Sequence, residues 1–407
     1  MPKRTPSRCI PLASQTVDET GPGSILLDFE VLLGFVEGGV RSSGKFHLLP
    51  MAQLFELDEL MTKPLRPRLK RPQQKSFPHL NGLYLLLRAT QLGISEGHGK
   101  TSGSLTLDSA MHRQWLQLNP TERYFNLLEA WLRCGAWEMV GLRGGGWMSH
   151  VAMNARDLWN SIPSAGRSFS EKERRRGDFL YSTERSCTLA LLELFGLMTV
   201  ERDEPDEGQN WHVTEVRHTP FGDALLRIVF DEIETELFAR EMRHVGFGIW
   251  QPVLQPHFPE WVNNLKIAEP EFRDGAYYFK VSLGEPWRRI VIPAKSDLDD
   301  LAECIVRAFD FDGDHLYGFR LVARDGHQIR VDHPCIDDAE THTDELAIGE
   351  LPLNERQSMQ FQYDFGADWR FDVQLEKIEP DTANISKATI VESRGEAPAE
   401  YEFDDEW

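Results

Sequence analysis

At 407 residues, with 65 acidic against 44 basic side chains, the chain carries a formal charge of -21. That field repels a phosphate backbone over most of the surface, so any nucleic-acid contact requires a local basic patch. Five scattered cysteines without a C-x-x-C pair fit a reducing compartment, and no run nears the roughly 20 apolar residues of a membrane span, so a cytoplasmic chain without a membrane partner is expected.

Residues 1–24, rich in Pro, Ser, Thr and Gly and without a secretory apolar core, are expected to be disordered. Residues 25–140 read as a helical, winged-helix-like unit. Apolar positions cluster at helical spacing over 25–60. Residues 63–75 then hold six basic residues, three prolines and no acid, which predicts an extended basic loop. Its Lys63, Arg66, Arg68, Lys70 and Arg71 are the nucleic-acid candidates. A leucine-rich helix over 79–92, a short strand over 104–108 and a helix through Trp115 follow. Gly99-Lys100-Thr101 lacks the first glycine of a phosphate-cradling loop and reads as a wing.

The same order recurs in 141–245: an apolar helix over 188–197, a strand over 198–201, an acidic tip at Glu204, Asp206 and Glu207, a return strand over 211–216 and a helix opened by Pro220. Basic Lys172-Glu173-Arg174-Arg175-Arg176 favours DNA, whereas the acidic tip opposes it. Residues 246–267, carrying Gly, Pro, Trp250 and Trp261, read as an ordered interdomain connector that its tryptophans pin to both neighbouring domains.

The final unit, 268–407, begins with alternating Tyr277, Phe279, Val281 and Leu283. A turn and a second strand, Trp287-Arg288-Arg289-Ile290-Val291-Ile292-Pro293, follow. Ser296 with Asp299 predicts a helix cap, and Leu298, Leu301, Ile305, Val306 and Phe309 form one apolar face. A strand over 316–322 and a polar insert lead to two alternating aromatic runs, 360–365 and 369–375, joined through Gly366-Ala367-Asp368. This is a hairpin whose glycine is expected to take the positive φ. The fold class is α+β: a helical, winged-helix-like amino-terminal region followed by a small mixed-sheet, β-grasp-like domain.

Asp310-x-Asp312-Gly313-Asp314 lacks the sixth-position glycine and twelfth-position carboxylate of a calcium loop. The insert gathers His327, Asp332, His333, Cys335, Asp337, Asp338, His342 and Asp344 without zinc spacing, so it reads as solvated. Cys187 and Cys304 sit on apolar helix faces as core residues. No Ser/His/Asp or Cys/His arrangement can be assigned, and no cofactor or metal is expected.

The segments 287–293, 309–319 and 346–351, with Tyr363-Asp364-Phe365-Gly366, Trp369, Gly395-Glu396-Ala397-Pro398 and Tyr401, resemble the Plasmid pRiA4b ORF-3-like domain in order and spacing, over about 268–402. Ala367 and Phe371 stand where that family's hairpin often has Asp and His. The resemblance implies an uncharacterised protein associated with plasmids or insertion elements.

Together these readings point to a non-enzymatic binding or adaptor protein with a protein partner, DNA being a possible one. The alternative is a DNA-binding accessory or regulatory protein using the winged-helix units, and the second alternative is a metal-dependent hydrolase or nuclease. The residues expected to bind are Trp287, Arg288, Arg289, His315, Tyr363, Asp364, Asp368 and Trp369, polar and aromatic groups at strand ends and turns.

Overall fold

The computed structural model describes residues 12, 16–44, 46–96, 103–142, 150–176, 179–180, 182–209, 211–239, 246–268, 271–323, 326, 328–337, 339, 341–380 and 385–400. Gly99-Lys100-Thr101, His327, Asp338, Tyr401 and most of 1–24 lie outside them. The chain divides into two compact units, 1–267 and 268–407.

The first unit contains α1 (Ile25–Glu37), β1 (Val40–Ser42), α2 (Met51–Leu60), α3 (Pro78–Ala89), β2 (Gly93–Glu96), β3 (Gly103–Leu107), α4 (Ser109–Gln117) and α5 (Pro120–Glu129). A π-helical turn, Ala130–Cys134, and a 3-10 turn, Trp137–Val140, lead on to α6 (Val151–Ser161), β4 (Arg167–Ser168), α7 (Glu171–Arg176), α8 (Thr183–Leu194), β5 (Met198–Asp203), β6 (His212–His218) and α9 (Pro220–Ala239). The order helix–strand–helix–helix–strand–strand thus occurs twice, as α1 to β3 and as α6 to β6. Each copy closes a three-stranded antiparallel sheet with its third strand in the middle, β1-β3-β2 and β4-β6-β5.

The third helix of each copy is the most buried. Every residue of α3 is buried, as are Cys187, Thr188, Leu189, Ala190, Leu191 and Leu192 of α8. Their leucine-rich faces pack on each other, and the polar His79, Asn81 and Arg88 of α3 are buried along with them. Gly82 makes that approach possible: a Cβ there would lie 2.8 Å from Leu191 Cγ.

Residues 246–267 are built into this same unit. Trp250 and Trp261 belong to its core, with Trp261 stacked 4.5 Å from Phe125. A buried polar stripe at helical spacing on α5 holds the segment by its backbone. Glu122 accepts from the amides of Val262 and Asn263, Asn126 from Leu265, and Glu129 from Gly248 and Trp250. A four-residue helix, α10 (Gln251–Leu254), lies between.

The second unit holds β7 (Ala276–Ser282), β8 (Trp287–Pro293), α11 (Leu298–Ala308), β9 (Tyr317–Val322), β10 (Gln328–Asp332), β11 (Ser358–Tyr363), β12 (Trp369–Glu379) and β13 (Thr389–Arg394). They form one seven-stranded sheet, order β10-β9-β11-β12-β7-β8-β13. Every ladder between named strands is antiparallel, which corrects the expected mixed, β-grasp-like sheet. The α11 cap is also corrected, because Asp297 rather than Ser296 accepts the Asp300 amide. The aromatic hairpin is present, Phe361 facing Phe371 and Tyr363 facing Trp369. Its turn differs from the sequence reading. Asp364 (φ 50°) and Asp368 (φ 57°) take the left-handed conformation instead of Gly366, and Phe365 sits exposed in the turn. Asp tolerates that region because its carboxylate bonds local amides, here that of Gly366.

Two outcomes follow from the amino-terminal packing. Gly82→Val drives a branched side chain into Leu191 and is expected to cost about 1–3 kcal/mol of unfolding free energy in urea melts, from overpacking. Asp58, which accepts from the Leu65 and Arg66 amides and sits 2.8 Å from His79, is pushed up by burial, but these hydrogen bonds hold it below its ordinary value of 3.8. Its stabilisation is therefore present above that value and lost as pH falls through the lowered one. Asp58→Asn is expected to flatten that acid limb in unfolding measured against pH.

Candidate functional site

The loop between α11 and β9 meets the β11–β12 turn and the carboxyl-terminal tail. The Tyr363 hydroxyl, at the end of β11, accepts from the amides of Gly313 (2.9 Å) and His315. Glu400 accepts from the Asp312 amide at 2.6 Å, and the Asp364 amide donates to Leu316. These bonds shape the loop so that the His315 ring stands among carboxylates. Its Nε2 is 3.4 Å from Asp314 and 3.8 Å from Asp364, with its ring edge-on to Tyr363 at 5.9 Å. Burial, then the Glu400 carboxylate, pushes the Tyr363 hydroxyl above its ordinary pKa.

Asp314, His315 and Glu400 offer ligand atoms all within 4.8 Å of one another, so these three can hold a divalent cation. Glu400 Oε1 is buried without a hydrogen-bond partner among the described residues, as is Trp369 Nε1. The polar insert makes no such group among the described residues. Asp332 pairs with Arg330, His333 stacks edge-on to Tyr317, and the His342 ring contacts the Ile336 carbonyl.

Of the residues expected to bind, His315, Tyr363 and Asp364 come together. Asp368 is close in sequence but turned to other work. It accepts from Gln362 and pairs through both oxygens with Arg370, whose guanidinium holds it below the usual carboxylate range. Trp369 packs edge-on to Phe311 at 5.1 Å. Trp287, Arg288 and Arg289 form a separate group on β8, three strands from Tyr363 in the sheet and therefore roughly 14 Å away at the usual strand spacing. Arg288 is a buried staple. Its Nε donates to Ala308 at the end of α11, its Nη1 to Arg394 and Gly395, and its guanidinium lies 4.7 Å from the Phe309 ring. Arg289 is bracketed by Glu376 and Glu392 beside the Trp287 ring. The two arginines therefore make no positive surface.

The basic segment of the first unit is likewise engaged. Lys63 pairs with Glu193, Arg66 bidentately with Glu59, and Arg68 with Glu204. Asp28 accepts the Thr62 amide, so the segment is anchored at Thr62, Leu65 and Arg66. Lys70 and Arg71 are exposed. Cys187 is core, its thiol pushed up to about 12 by burial, and burial raises Cys304 too.

Sequence reasoning missed Glu400. It lies about 85 residues beyond His315, in a tail where only the Gly395-Glu396-Ala397-Pro398 resemblance pointed to order.

One antiparallel sheet, one helix and this carboxylate-lined loop define a small α+β domain. Its residues 276–404 match the family model for Plasmid pRiA4b ORF-3-like protein, the family that the motifs of this domain resemble. A crystal structure of a protein of unknown function from Methanosarcina mazei Go1 is similar at 24% identity and a TM-score of 0.29, covering 31% of this chain and 72% of that one. No curated protein matches. No helix among the described residues is long and apolar enough to cross a membrane.

Tyr363→Phe keeps the ring and removes the acceptor of two loop amides. Loss of about 1–3 kcal/mol in chemical denaturation is expected, with an unchanged far-ultraviolet spectrum.

Proposed function

We propose that this protein is a non-enzymatic adaptor, associated with plasmids or mobile elements, in which two winged-helix units form a docking body and the pRiA4b ORF-3-like domain presents the Asp314–His315–Asp364 rim to a protein partner. The observation that carries this reading is the mutual burial of α3 and α8. In a winged helix the third helix enters the major groove, and here both third helices face one another. The pairing of Lys63, Arg66 and Arg68 with carboxylates argues the same way, since phosphate binding has to displace those acids. Winged helices without a free third helix serve as protein-docking modules, the fold itself leaving function open.

Fluorescence anisotropy with a labelled duplex separates the readings. No binding with a steep salt slope is expected, and neutralising Lys63, Arg66, Arg68, Lys70 and Arg71 leaves the signal unchanged; a salt slope of several units, lost on neutralisation, establishes the DNA-binding alternative instead. The adaptor reading further expects a stoichiometric partner on affinity purification from the host, and its loss with Asp314→Lys.

The Asp314–His315–Glu400 group favours a second reading, a metal-dependent hydrolase or nuclease. Titration calorimetry with Mn²⁺ and Zn²⁺, paired with phosphodiesterase assays of the wild type and His315→Gln, decides it. Cation binding and turnover that both vanish in the variant would support this chemistry, and heat-silent, inactive protein would remove it.

A further inference from the structure

The basic segment and the acidic tip of the second copy enclose a cleft that the adaptor reading does not use. Residues 64–68 run beside the β5–β6 end, Arg68 bonding through its amide to Gln209 and through its carbonyl to Gly208. The cleft between them has a volume of about 340 Å³, and its lining sets Arg66, Arg68 and Arg202 against two carboxylates, Asp203 and Glu204, beside Trp211. That is the size of a small-molecule site and far too narrow for a duplex.

Its chemistry is donor-rich. Trp211 is nine-tenths buried, and its indole Nε1, which only donates, has no acceptor among the described residues. His212 Nε2 is buried in the same condition. A buried donor left unmade is costly, and the Trp211 indole, which can only donate, calls for an oxygen acceptor, whereas His212 Nε2 donates or accepts according to its tautomer. Three guanidinium groups line the same space, in a chain whose overall charge is -21. Arg66 is held by two bonds to Glu59. Arg202 donates to the Lys63 carbonyl and lies 3.6 Å from Glu193. Arg68 meets Glu204 at 3.3 Å, with both side chains mostly exposed. An exposed pair of that kind exchanges readily for a better anion.

We propose that this cleft binds the oxyanion group of a small acidic molecule, phosphate or carboxylate, whose apolar body lies against Pro64, Pro205 and Trp211. Arg68 and Arg202 supply the charge and Trp211 Nε1 the buried hydrogen bond. Glu204 acts as an internal competitor that the ligand displaces from Arg68. The walls are preformed, because Asp58 fixes the Leu65 and Arg66 amides and the Arg68 backbone is tied to residues 208–209.

The test follows the indole ¹H–¹⁵N resonance of Trp211, identified by its disappearance in Trp211→Phe, as phenyl phosphate or benzoate is added at ionic strength held constant with sodium chloride. A saturable displacement with a midpoint at or below the millimolar range is expected for one of the two probes, and which one responds distinguishes phosphate from carboxylate recognition. Exposed Arg68→Gln is expected to raise the midpoint about tenfold and Glu204→Gln to lower it, one factor of ten being one lost charge-assisted bond. No saturable displacement with either probe, or the same displacement in Arg68→Gln, overturns the site. Should Trp211→Phe fail to fold, the opposite shifts in Arg68→Gln and Glu204→Gln still decide the matter through tryptophan fluorescence.

Discussion

The contact between α3 and α8 organises the amino-terminal unit. Two copies of one helix–strand pattern each offer a third helix with a broad leucine-rich face, and neither can leave that surface in water. Placing one against the other buries both, at a separation that Gly82 permits and any larger residue opposes. The consequence is functional as much as structural. A third helix committed to the core is not free to read a groove, and the proposed roles therefore rest on the loop after α11 and the cleft beside the basic segment.

Charge is distributed on the same logic. Carboxylates of this strongly acidic chain are used internally to position backbone rather than simply to decorate the surface. Glu122 and Glu129 hold 246–267, Asp58 and Asp28 hold 62–66, and Glu400 holds the Asp312 amide. Buried carboxylates of this kind are stable only with such donors, because an unpaired buried charge is expensive. Three of the six cations in the basic segment, Lys63, Arg66 and Arg68, answer nearby acids, so the folded segment presents less positive charge than its sequence suggests.

Much of the architecture is legible in the sequence. Alternation in 360–365 and 369–375 marks two strands, and the spacing of Leu298, Leu301, Ile305 and Phe309 marks α11, since both periods are local. Partners distant in the chain are not local and were misplaced. Arg288 looks like a surface cation on a strand, yet it is buried against the carbonyl of Ala308 and the tail at 394–395. Glu122, Asn126 and Glu129 have the pattern of a solvated helix face and are instead covered by a segment more than 100 residues later. The all-antiparallel sheet order places β12 between β11 and β7, a choice no single strand's composition reveals. The candidate site shares that split. His315, Tyr363 and Asp364 were visible as polar groups at element ends, whereas Glu400 joins them only through the tertiary fold.

Native-state hydrogen exchange on the full chain, with and without duplex DNA, tests most directly whether α3 and α8 are locked together. The α3 and α8 amides should be among the slowest to exchange, opening only with global unfolding, and DNA should leave them unchanged. Fast exchange in either helix, or protection of either one on adding DNA, contradicts a mutually buried pair.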